Sequence, residues 1–86
     1  MQPEEIQAMI EAGLPGATHV SVSGDGTYFK AVVVSEEFAG KGKVQQHRMV
    51  YATLGDKMRA DIHALSIQTF TPGDWEAAGS PVASSQ

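Results

Sequence analysis

The sequence predicts a two-layer α+β domain in which helices cover a three-stranded mixed sheet, in the order α-β-β-α-β-α. Three observations point there. An acidic amphipathic stretch opens the chain, a β-branched hairpin is centred on Gly24-Asp25-Gly26, and a helical stretch separates that hairpin from one further strand. The hairpin pair must be antiparallel, whereas a strand–helix–strand crossover is right-handed and leaves its strands parallel, so the sheet is mixed. With 86 residues the chain can build one core and no second one.

The first helix is expected from Pro3 to Ala12. Pro3 suits a first turn, Glu4 and Glu5 complement the positive helix end, and Ile6, Met9, Ile10 and Leu14 form one apolar stripe. Gly13, Pro15 and Gly16 stop it. His19 to Ser23 alternates as a strand with Val20 and Val22 on one face, and the Asp-Gly turn supplies the positive φ a hairpin needs. The return strand, Tyr28 to Ser35, ends almost continuously apolar and is expected at the centre of the sheet. Ser35 caps a short turn through Glu36-Glu37-Phe38. A second helix starts near Lys43 and spaces Val44, His47, Tyr51, Leu54 and Met58 three or four residues apart, widened by Val50, as an expected core face. A third strand follows from Ile62 to Thr69, with His63, Leu65 and Ile67 on one side. Thr71-Pro72-Gly73-Asp74 is a helix start, and Trp75 anchors the short helix behind it. Residues 79–86 are small, polar and aperiodic, a disordered tail after a domain spanning 1–78.

Composition narrows the chemistry. There is no cysteine, hence no disulfide, no thiolate zinc site and no cysteine nucleophile. Soft-metal chemistry would have to borrow its sulfur from a partner. The longest apolar run, Ala31 to Val34, is too short to cross a bilayer, and the acidic start lacks the layout of a secretion signal; a cytoplasmic setting is expected. The net charge of −4 argues against coating nucleic acid by bulk electrostatics. Yet Phe38 to Leu54 contains no acid while Lys41, Lys43 and Arg48 give +3, leaving −7 for the rest.

That basic segment supports two functional ideas. Two glycines and two lysines lead into a helix N-terminus, as a phosphate would require, although the P-loop spacing is absent. Alternatively, a helix-turn-helix-like corner would expose Gln45, Gln46 and Arg48 as base readers. A solvated turn and polar helix face is the plain alternative. The acids sit mostly at caps and turns and no His–acid–Ser grouping stands out, so an enzyme is not expected. Of the histidines, His19 reads as surface and His47 as a packed residue. His63 starts a strand directly after a turn, where an imidazole is either an ordinary packed side chain or a ligand within reach of a partner.

Three blocks then carry a resemblance: Phe29 to Lys41, Val44-Gln45-Gln46-His47-Arg48-Met49-Val50-Tyr51, and Ile62-His63-Ala64-Leu65-Ser66-Ile67-Gln68-Thr69-Phe70-Thr71-Pro72-Gly73-Asp74-Trp75. In order and spacing they resemble the BolA family, and the short hairpin resembles its IbaG-like (YrbA) bacterial branch. The resemblance implies the layout derived above, related to the type II KH fold. It also implies a partnership with a monothiol glutaredoxin and a shared [2Fe-2S] cluster, for which glutaredoxin and glutathione supply sulfur and this family supplies histidine. The matching residue of the His-Ala-Leu stretch is His63. The family's second His or Cys, in the loop between the first two strands, is missing: Tyr28 holds that place, and Tyr28 or Asp25 would offer iron only a hard oxygen. The family's links to stress responses and transcription place DNA on the corner carrying Lys41, Lys43 and Arg48, although the KH loop Gly-x-x-Gly is not matched by Gly40-Lys41-Gly42. Alone, the chain is expected to be a monomer or a weak homodimer.

Overall fold

The computed structural model describes residues 2–25, 27–55 and 64–79. Helix α1 runs over Pro3–Gly13, strand β1 over Ala17–Gly24 and strand β2 over Tyr28–Ser35. A 3-10 turn at Glu36–Phe38 leads to helix α2 at Lys43–Leu54, strand β3 at Ala64–Phe70 and helix α3 at Pro72–Ala77. The order is the one the sequence predicts, and β2 is central: it pairs antiparallel with β1 and parallel with β3. The expected strand start at Ile62, the Met58 position and Ser80–Gln86 lie outside the described residues.

Register decides what each face carries. Val20, Val33 and Thr69 form one inner row; Val22, Ala31 and Ile67 form the next, and Gly24, Phe29 and Leu65 the third. Ile6, Ile10 and Leu14 from α1 and Val50 and Leu54 from α2 close over this face, joined by Phe38. Each such side chain contributes about 1.5–3 kcal/mol by leaving water. A bulge between Ala17 and His19 adds one residue to β1, so both Ala17 and Val20 turn inward. A Cβ at Gly13 would sit 2.7 Å from the Thr53 Cβ, so a glycine is what lets α1 approach α2 this closely.

Local signals hold where they were specific. Glu5 Oε1 accepts from the Gln2 amide at 2.8 Å, Ser35 Oγ from the Glu37 amide at 3.0 Å, and Thr71 Oγ1 from the Asp74 amide at 3.2 Å. Helix α2 corrects the expected stripe. Gln46, Val50 and Leu54 face the core, while Val44 is 68% exposed and Tyr51 39% exposed; His47 is half-buried. The reason is Gln46, a polar residue on the buried face whose amide is fully satisfied there.

Candidate functional site

At the hairpin end, Asp25 Oδ1 accepts from the Thr27 amide at 2.9 Å and the Tyr28 amide at 3.0 Å. The Tyr28 amide, then that of Thr27, holds the Asp25 carboxyl below the usual carboxylate range. One of its oxygens is thus already engaged by the backbone. Tyr28 is 68% exposed, and its register partner across the parallel pair is Ala64, the residue bonded to His63. His63 itself lies outside the described residues. Asp25 and Tyr28 are therefore on one edge of the domain together with the start of β3.

A [2Fe-2S] cluster needs four ligands, commonly thiolates. The chain holds no cysteine, and among the described residues no group of three or more His, Asp or Glu side chains could hold a metal ion. A cluster resident on these residues alone does not fit. One donor offered to a cluster held mainly by other chains is a lesser demand on the chain.

The second candidate is the corner between the 3-10 turn and α2. Gln46 clasps it: Nε2 donates to Phe38 O at 3.2 Å and Lys41 O at 2.8 Å, and Oε1 accepts from Thr69 Oγ1 at 2.6 Å. Gln46 is buried, so it cannot read a base as the exposed helix face predicted. Lys41 and Arg48 are exposed. Lys43 Nζ donates to Thr69 O and lies 5.3 Å from the centre of the Phe70 ring, so its ammonium leans on the end of β3. Among the described residues Lys41 and Arg48 make no such tie, and the Gln46 clasp fixes the loop that carries Lys41.

A third feature escaped the sequence reading. His19 is half-buried rather than a plain surface residue; its ring stacks on Trp75 with centroids 5.0 Å apart, and its Nε2 is buried without a hydrogen-bond partner. Phe70 meets Trp75 edge-on at 5.2 Å. These rings seat α3 across the outer row formed by His19, Val34 and Phe70. The signal was present: the alternation that turns Val20 inward turns His19 outward, onto the face that Trp75 needs.

Fold and edge together define a small two-layer α+β domain, one face of its sheet packed by two helices and Asp25, Tyr28 and the start of β3 meeting at a strand end. The family model described as BolA-like protein matches residues 5–74. The chain is 40% identical over 75 residues to the DNA-binding transcriptional regulator BolA of Vibrio cholerae, covering 87% of this chain and 67% of that one. It is 37% identical over 76 residues to the acid stress protein IbaG of Escherichia coli, covering 87% and 89%. A solved BolA homologue from Coxiella burnetii superposes with a TM-score of 0.80 at 42% identity, covering 88% of this chain and 97% of that one. The chain belongs to the BolA family. It spans little more than half the length of several curated relatives, such as 53% of the Bos taurus BolA-like protein 1. These names denote regulators and a stress protein, not enzymes.

Proposed function

We infer that this chain is a non-enzymatic accessory protein of iron–sulfur metabolism that pairs with a monothiol glutaredoxin and helps hold or transfer a [2Fe-2S] cluster. In this reading His63 is its ligand. The observation that carries it is the pairing of Tyr28 with Ala64, which gathers the hairpin end and the strand start bonded to His63 at one edge. The resemblance to the BolA family is what suggests a monothiol glutaredoxin as the partner class. The absence of cysteine makes the partner's thiolates and glutathione indispensable, because iron clusters require soft donors. Tyr28 and Asp25 offer oxygen, a hard donor, which leaves the soft demand to the partner and the nitrogen donor to His63. The name of the acid stress relative points the physiological setting toward a stress response.

The test is to mix the protein with cluster-loaded monothiol glutaredoxin and record visible absorption and circular dichroism. The expected spectrum differs from the sum of the components and loses that difference in His63→Ala. Additive spectra for both proteins would end the reading.

A second reading, a DNA-binding regulator, is favoured by the exposure of Lys41 and Arg48 on the clasped corner and by the names of relatives from Vibrio cholerae and Escherichia coli. Lys41, Lys43 and Arg48 would meet duplex phosphates, giving a salt slope of about −0.9 per contact. Binding of a promoter fragment that disappears in Lys41→Glu/Arg48→Glu supports it; no binding at low salt removes it.

A further inference from the structure

Among the described residues, α3 covers the outer face of the sheet at one end, and Val32 in the next row is still buried while the rows beyond it open to solvent. Beyond the row under Trp75, Ser21, Val32 and Gln68 form a second row; Ser23, Lys30 and Ser66 form a third, and Tyr28 with Ala64 a fourth. Strands in a parallel pair are usually covered on both faces, yet Lys30, Ser66 and Gln68 of the β2–β3 pair are open to solvent. Of the chain's ten acids, Asp25 borders the fourth row opposite Tyr28, with one carboxylate oxygen taken by the Thr27 and Tyr28 amides. The face therefore presents one ammonium, one exposed aromatic ring, three hydroxyls and an amide to an otherwise acidic molecule's surroundings.

We propose that this open face binds single-stranded nucleic acid, with the Tyr28 ring stacking a base and Lys30 taking the adjacent phosphate. Tyr28 and Lys30 are two residues apart on β2, on the same face, and so stand about 7 Å apart along the strand. That advance suits neighbouring groups of one extended nucleotide. Ser23 and Ser66 flank Lys30 directly across both neighbouring strands, where hydroxyls can meet phosphate or sugar oxygens, and Gln68 stands one row on. A protein partner is the poorer match, because Tyr28 is the only large exposed apolar group in these rows. A duplex is also a poorer match: a stacked base must first leave its partner, and a flat sheet does not enter a groove. The proposal is independent of the basic corner, since Lys41, Lys43 and Arg48 lie on the 3-10 turn–α2 segment rather than on the outer rows, and it shares Tyr28 with the hairpin edge of the cluster reading.

Fluorescence anisotropy with a labelled eight-nucleotide oligouridine at low salt tests it. Binding is expected with a log–log salt slope of about −0.7, one phosphate contact. Tyr28→Ala should weaken it about tenfold while Tyr28→Phe retains it, and Lys30→Gln should flatten the salt slope. An unlabelled hairpin duplex should compete poorly. All three variants alter exposed side chains, and their circular dichroism should match the parent's. Absence of binding at low salt would overturn the proposal, as would binding that survives Tyr28→Ala but is lost in Lys41→Gln/Arg48→Gln.

Discussion

On the inner face of β2, Phe29, Ala31 and Val33 lie under α1 and α2 with at most 2% of their surface exposed; on the outer face of the same strand Tyr28 is 68% exposed and Lys30 is open to solvent. Side chains on alternate positions of one strand thus serve two ends. The inner rows supply burial free energy, while among the described residues the outer rows beyond Val32 and the hairpin edge expose Tyr28, Lys30 and Ser66 to solvent. Stability and recognition should therefore separate on substitution.

The sharpest way to break that contrast is Phe29→Ala, expected to destabilise by about 3–5 kcal/mol in urea unfolding because it removes the buried ring from the third inner row. Gln46→Leu comes next. It leaves Phe38 O, Lys41 O and the Thr69 hydroxyl without their partner, and about 1–3 kcal/mol should be lost, with amide exchange in the 38–42 loop accelerating. Thr71→Ala removes the α3 cap and should cost about 1 kcal/mol, read as a lower unfolding midpoint. Tyr28→Ala should change stability by less than about 0.5 kcal/mol while altering whatever the hairpin edge binds.

The smallest effect concerns pH at that edge. Asp25 has a depressed carboxyl pKa, so its contribution is present above the unfolded-state value and disappears as pH falls through the folded one. The Thr27 and Tyr28 amide shifts should follow the Asp25 carboxylate in an NMR titration, with a midpoint below that of an unbonded Asp side chain. A midpoint at or above that of an unbonded Asp side chain would show that the two amides do not hold the carboxylate.

Element order and the central place of β2 were legible because the signals were local: caps, an Asp-Gly turn, and the β-branched run from Ala31 to Val34. The face of α2 was not. Apolar spacing pointed to Val44 and Tyr51, but the buried position is Gln46, whose amide finds Phe38, Lys41 and Thr69 only once the chain has folded. Periodicity cannot see a polar core residue whose partners are distant in sequence. The His19–Trp75 stack was hidden for the same reason, since 56 positions separate rings that only the docking of α3 brings together. At the candidate site, the sequence supplied the donor types, and the register added that Tyr28 and the start of β3 share an edge.

The central claim is that His63 ligates a cluster whose sulfur donors belong to a glutaredoxin. Pulsed EPR on the reduced complex tests it directly, with this chain carrying ¹⁵N-labelled histidine and the glutaredoxin unlabelled. The account predicts a strong ¹⁵N coupling that vanishes in His63→Ala, while the complex still forms. A reduced cluster showing no ¹⁵N coupling from the intact chain, or one that keeps it in His63→Ala, would contradict it.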